Sequence, residues 1–166
     1  MASNYWNQSG AVKHSGLEGV AALDKQLAEL GDKKATASVL RSGVGSSMRK
    51  VAKAAKAKVP EGKEPHRTYK GRLVAPGFAR RSIRVVTRVD KTGEKAYALL
   101  GVRKEAFYAL QFIELGTAYI PAQPWLVPAF EESRDESMQQ IGKSMRKRID
   151  KIAAKRAAQG RTPPSR

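Results

Sequence analysis

Ser82-Ile83-Arg84-Val85-Val86-Thr87-Arg88-Val89 is the stretch that decides the fold, because it is the clearest run of period-two alternation in the chain. Ile83, Val85, Thr87 and Val89 fall on one side, with Ser82, Arg84, Val86 and Arg88 on the other. That spacing predicts a half-buried strand with a largely basic solvent face. Asp90 to Glu94 contains Gly93 and predicts a hairpin turn into a second strand over Lys95 to Val102. Everything flanking this hairpin carries a helical period instead. Upstream, Leu17, Val20, Ala21, Leu23, Leu27 and Leu30 recur at three- and four-residue steps, which predicts an amphipathic helix stopped by Gly31. Lys34 to Lys58 predicts a longer helix ended by Pro60, with an apolar stripe of Leu40, Val44, Met48, Val51, Ala55 and Val59. Arg49, Lys50, Lys53 and Lys56 lie off that stripe and predict a basic outer face. Glu61 to Gly77 is rich in Pro, Gly and charge and reads as a loop.

Downstream, Phe107 to Leu115 fits a short helix better than a strand, with Phe107, Leu110 and Ile113 or Glu114 as its apolar face. Pro121, Pro124 and Pro128 then punctuate an extended run, and Pro128 suits the first turn of a long C-terminal helix. The stripe expected there is Phe130, Met138, Ile141, Met145, Ile149 and Ile152. Glu131, Glu132, Asp135 and Glu136 crowd the start of that helix. Lys143, Arg146, Lys147, Arg148, Lys151, Lys155 and Arg156 crowd its end, so both groups complement its macrodipole. The expected architecture is α+β: two N-terminal helices, a small antiparallel sheet and a long C-terminal helix. Residues 17–158 form the expected single domain, between an N-terminal arm (1–16, with Tyr5 and Trp6) and a basic tail (159–166), both expected to be flexible.

Composition narrows the function. The chain has 166 residues, no Cys, and 32 Lys plus Arg against 15 Asp plus Glu, for a net charge of +17. Disulfides and thiolate metal sites are thereby excluded, and a reducing compartment is the natural reading. Met1 to Gly10 lacks the basic and apolar blocks of a secretory signal. No run approaches the roughly 18 apolar residues of a membrane span, so no membrane partner is expected. The charge favours polyanions, nucleic acid first, through phosphates rather than bases, since no aromatics interleave the cations.

Signals for chemistry are weak. His14 and His66 have no second ligand at metal spacing. Gly142-Lys143-Ser144 echoes the end of a phosphate loop, but Ser137 stands where that motif needs its first glycine, and the segment reads as mid-helix. Gly43-Val44-Gly45-Ser46-Ser47 lacks a preceding strand and fits close helix packing or a bend. Glu114 is a lone acid between Ile113 and Leu115, and its burial demands either an Arg or backbone amides. No catalytic residue, metal site or cofactor is expected.

One segment is specific. Tyr108-Ala109-Leu110-Gln111-Phe112-Ile113-Glu114-Leu115-Gly116-Thr117 is followed by Pro121-Ala122-Gln123-Pro124-Trp125-Leu126-Val127-Pro128-Ala129-Phe130. This pair resembles the signature of a tail-component family of long-tailed siphophages, the tail-completion or head–tail joining proteins. There a Tyr and an aromatic-aliphatic-Glu-x-Gly-Thr element precede a Pro-x-x-Pro-aromatic-Leu-x-Pro-Ala element and a closing helix. The likeness spans roughly residues 17 to 156, with Trp125 where Phe is commoner and the 61–77 loop too generic to align. It implies a virion protein of the tail or neck, made in the host cytoplasm, that forms a ring of copies, typically six, around the DNA channel. Its implied partners are itself and the neighbouring head-completion, tail-terminator or tail-tube proteins. Tyr108, Glu114, Gly116, Thr117, Pro121, Pro124, Trp125, Leu126 and Pro128 become candidate interface residues. Arg49, Lys50, Lys53, Lys56, Arg146 and Lys147 become candidates to face DNA or an acidic partner. The competing expectation is a sequence-nonspecific basic nucleic-acid-binding protein.

Overall fold

The computed structural model describes residues 20–160, so the expected arm at 1–16 and residues 161–166 lie outside the described residues. Its elements run α1 (Val20–Glu29), α2 (Lys33–Lys58), β1 (His66–Arg67), β2 (Leu73–Val74), α3 (Phe78–Ser82), β3 (Ile83–Val89), β4 (Ala96–Val102), α4 (Lys104–Leu115) and α5 (Leu126–Ala158). This is an α+β fold. Helix α2 is its axis, with α5 packed along one side and the β3–β4 hairpin along the other.

Helix α2 starts where Asp32 accepts a hydrogen bond from the Lys34 amide, at 2.9 Å, and ends before Pro60. Being covered on two sides, it buries Val51, Ala55 and Val59 of the expected stripe but differs from it in the first half. Ala35, Val39, Gly43, Gly45, Val51, Ala52 and Ala55 are buried, while Leu40, Val44 and Met48 are only half-buried. The correction has a steric cause. A Cβ on Gly43 would sit 2.6 Å from Cγ of Met145 on α5, and one on Gly45 would sit 2.9 Å from Cγ2 of Thr87 on β3. The glycines are two residues apart, so they face opposite layers, and each lets a neighbour approach the α2 backbone. The Gly43–Ser47 segment is therefore a packing device, as its sequence context suggested.

Helices α2 and α5 run antiparallel. Ser46 donates to Ser144 at 2.6 Å, Gln140 donates to the same Ser144 hydroxyl at 2.8 Å, and Arg148 donates to Ser38 at 2.8 Å. Lys50 pairs with Glu136, and Lys58 with Glu132 at 2.7 Å. The Gly142-Lys143-Ser144 triplet lies within α5, with Ser144 committed to this seam. The inward stripe of the first half of α5 is Ala129, Ser133 and Ser137, not Phe130 and Met138, which are both exposed. Small side chains face α2 here because the helices approach closely. Farther along, Met145 and Ile149 are buried with Leu23, Leu30, Ala35 and Val39, and Ile141 and Ile152 pack against them. Arg156 closes that end by donating to the carbonyl of Leu30 at 2.8 Å.

The hairpin matches its alternation from Ile83 on, whereas Ser82, expected on the solvent side, is buried at the end of α3. Ile83 is buried and Val85, Thr87 and Val89 half-buried, whereas Arg84, Val86 and Arg88 are exposed. Strands β3 and β4 pair antiparallel, from Ile83 opposite Val102 to Val89 opposite Ala96, and Gly93 turns with φ 81°. Two short features depart from the expected loop at 61–77 and from its edge. Residues 66–67 and 73–74 form a small antiparallel hairpin, and α3 follows it. Two-residue strands and a five-residue helix are shorter than the window in which either period becomes visible. A second cluster joins Ala55 and Val59 to Ile83, Ala106, Leu110, Trp125 and Ala129, and it seats the α4–α5 junction.

Candidate functional site

Lys104–Leu115 is helical, but its faces differ from the expected ones. Ala106 and Leu110 are buried and Ile113 half-buried, while Phe107, Tyr108, Gln111, Phe112 and Leu115 are exposed. Phe107 thus points outward, because the short side chain of Ala106 takes the place against the core. Tyr108 stands at the centre of an exposed aromatic group: its ring meets Tyr69 edge-on at 5.6 Å, Phe107 at 5.7 Å and Phe112 at 6.4 Å. Burying such rings stabilises an interface strongly, and leaving several of them in water is unusual for a helix face.

The turn after α4 is fixed by reciprocal capping. Gly116, at φ 72° and ψ 178°, donates to the carbonyl of Phe112 at 2.8 Å, and Gln123 donates to that of Ile113 at 2.7 Å. These bonds satisfy carbonyls at the end of α4 that have no helical partner. In return the carboxylate of Glu114 accepts from the amides of Trp125 (2.6 Å), Leu126 (2.9 Å) and Val127 (3.3 Å). The next residue is Pro128, which has no amide hydrogen, so the first turn of α5 is left with no donor unmet. A carboxylate at this end also complements the helix dipole. The two outcomes expected for Glu114 resolve in favour of backbone amides.

A side chain at 116 is excluded by both backbone and space: a Cβ there would lie 2.8 Å from the Ala122 amide nitrogen and 3.0 Å from the Ile120 carbonyl oxygen. Thr117 holds the tight turn, its hydroxyl accepting from Tyr119 and Ile120 at 3.2 and 3.1 Å. Pro121 and Pro124 are exposed and stiffen the return. Trp125 is buried, and its indole nitrogen donates to the Leu110 carbonyl at 3.1 Å. Phe130, on the expected inner stripe of the C-terminal helix, is exposed here.

Between β4 and this junction lies a cleft of about 310 Å³. Its apolar walls include Leu100, Val102, Phe107, Leu115 and Leu126, and Glu114 is the one ionisable residue lining it. That carboxylate is spent on three amides, and among the described residues no nucleophile or second acid lines the cleft. The arrangement is suited to holding an apolar side chain. Among the described residues, no three His, Asp or Glu converge as a metal site would need. No helix of the described residues is long and apolar enough to cross a membrane.

No known family, characterised protein or solved structure matches this chain.

The candidate interface residues fall into three classes, of which one is the exposed pair Pro121 and Pro124 in the return segment. Glu114, Gly116, Thr117, Trp125 and Pro128 build the junction from inside, while Tyr108 and Leu126 present apolar surface outside. The candidate basic residues are not brought together. Arg49 and Lys53 are exposed on α2, Lys56 is half-buried, and Lys50 is withdrawn by its pair with Glu136. That pair, with Lys143 and Lys53 adding weaker attraction, holds the Glu136 carboxyl below its usual range. The expected outer face of α2 is therefore reduced by one cation. Arg146 and Lys147 are exposed on α5, toward the opposite end of the antiparallel pair. The outward rings of Phe107 and Phe112 were not among the candidates. Their signal was an apolar run, Phe107 to Ile113, with more large residues than one helix face can bury.

Proposed function

We propose that this chain is a structural subunit that docks through the outward face of α4 and the adjoining cleft onto a second copy of itself, closing a ring. The observation that carries this reading is the exposed aromatic group of Phe107, Tyr108 and Phe112 beside a cleft with apolar walls. Contacts of one patch with a different patch on the next copy close into a ring when the rotation permits. The resemblance of Tyr108–Thr117 and Pro121–Phe130 to the tail-completion family supplies the setting. In that setting the ring is a hexamer at the neck of a long-tailed bacteriophage, around the DNA channel, between the head-completion and tail-terminator or tail-tube proteins. The internal geometry of the segment supports the reading. Its glycine, glutamate and prolines hold the junction rigid, so the outward residues are presented in fixed positions.

The test is native mass spectrometry with negative-stain microscopy on the full chain over a range of concentrations. Closed rings are expected. A variant carrying Phe107→Ser, Phe112→Ser and Leu115→Ser should remain monomeric with an unchanged far-ultraviolet circular dichroism spectrum. A wild-type chain that stays monomeric at every concentration, as the variant does, would sink the reading. A second reading, a free nucleic-acid-binding protein, draws on the net charge of +17 and the outward lysines of α5.

A further inference from the structure

The positive charge of this protein is divided by the α2–α5 seam. In the first half of α5, Glu132 and Glu136 meet Lys58 and Lys50 across the seam, so charge there is balanced within the fold. The second half is balanced less, with Asp32 reaching Arg156 at 3.8 Å and Glu136 attracting Lys143. From Lys143 to Arg156 it carries seven cations and one acid, Asp150. Arg148 and Arg156 turn inward, onto Ser38 and onto the carbonyl of Leu30. Lys143, Lys147, Lys151 and Lys155 are all exposed. They recur every fourth residue, about 6 Å apart along the axis, and the row drifts by only about 40° per step. Like charges at this spacing repel one another and weaken a helix. The row persists because Met145 and Ile149 bury the opposite side of the same turns.

We propose that this lysine row is a docking strip for the phosphate backbone of a nucleic-acid duplex, bound without reading sequence. Three features select this ligand. The strip has no large apolar residue, only Ala153, Ala154 and Ala157 among its exposed neighbours, so it lacks the desolvated centre that a protein interface needs and in which Lys is scarce. It has no aromatic residue on which unpaired bases would stack, which disfavours single strands. It also has no apolar anchor to enter a bilayer. A row about 18 Å long that winds about 120° around the helix can follow the curving, evenly charged edge of a duplex, where phosphate contact requires only exposed cations. The strip lies on α5 and the aromatic face on α4, so the inference stands apart from the ring reading and deepens the nucleic-acid-binding one, on which it rests.

The experiment is fluorescence anisotropy of the full chain with a duplex DNA, a duplex RNA and a single-stranded DNA of one length, from 50 to 300 mM salt. Four released phosphates give a slope of log affinity against log salt of about 3.6 in magnitude. The variant K143Q/K147Q/K151Q/K155Q should therefore lose about 3 to 4 units of slope for duplexes. Between 50 and 200 mM salt the wild-type chain should lose on the order of 100-fold more affinity than this variant. R49Q/K53Q/K56Q, on α2, should change the slope by much less. Equal binding of both duplexes would assign the strip to phosphate charge alone, and a preference for DNA to B-form spacing. The proposal is overturned if the α5 variant keeps its slope to within one unit, or if the α2 variant loses as much. Tighter binding to single strands, or to vesicles of phosphatidylserine, would overturn it too. Native mass spectrometry separates the two readings: the α5 variant should assemble as the wild type does, and the Phe107/Phe112/Leu115 variant should keep the salt slope.

Discussion

The α2–α5 seam and the α4–α5 junction share a helix and solve opposite problems. The seam is made of Gly43, Ser46, Ser133 and Ser144 with paired charges at its margins; Ser46, Ser133 and Ser144 bond within the described residues, whereas the buried Ser137 hydroxyl finds no partner there. The junction is equally well satisfied within, by Glu114, Gly116 and Trp125, yet turns Phe107, Tyr108, Phe112 and Leu126 into water. Close packing in the first region is an end in itself. In the second it makes a rigid base for side chains left exposed to water.

The contrast can be broken most severely at Trp125. Trp125→Ala empties a buried site and removes the indole bond to the Leu110 carbonyl, and should cost about 3–5 kcal/mol, seen as a large drop in Tm by differential scanning calorimetry. Gly116→Ala comes next, at about 2–3 kcal/mol, because its Cβ meets backbone that has nowhere to move. Glu114→Ala should cost about 2 kcal/mol through lost charge-assisted bonds at the start of α5, with Glu114→Gln milder since one oxygen remains. In the seam, Gly43→Leu should cost about 1–3 kcal/mol by overpacking against Met145.

The smallest effects sharpen the comparison. Phe107→Ser with Phe112→Ser should change monomer stability by less than about 1 kcal/mol while abolishing assembly, a split that no seam substitution should show. The Lys50–Glu136 pair lowers a folded-state carboxyl pKa. Its contribution is therefore complete above the unfolded-state value and is lost as pH falls through the lowered folded one. Glu136→Gln should flatten the acid limb of a Tm–pH profile.

The fold was legible wherever a period ran long enough. The hairpin at 83–102, both long helices and the helical reading of 107–115 are all present in the structure. What failed was the choice of faces. A single-stripe reading of α2 presumes one covered side, whereas Gly43 and Gly45 serve two. On α5, Ser133 and Ser137 are inside and Phe130 and Met138 outside, since closeness of approach outranks hydrophobicity where two helices nearly touch. Residue size alone likewise misplaced Phe107 on the inner face of α4. The cost of a lone buried acid was enough to single out Glu114. The amides it serves are eleven and more residues away, in a helix whose start only the folded turn defines.

That carboxylate has a mechanical consequence. Helix α5 is 33 residues long, so it is a rod of about 50 Å whose near end is clasped by the last turn of α4. A push on the outer face of α4 is delivered through Glu114 to the base of that rod, which is held to α2 from Glu132 to Arg148. Such a push would therefore be resisted by the whole α2–α5 seam instead of by the junction alone.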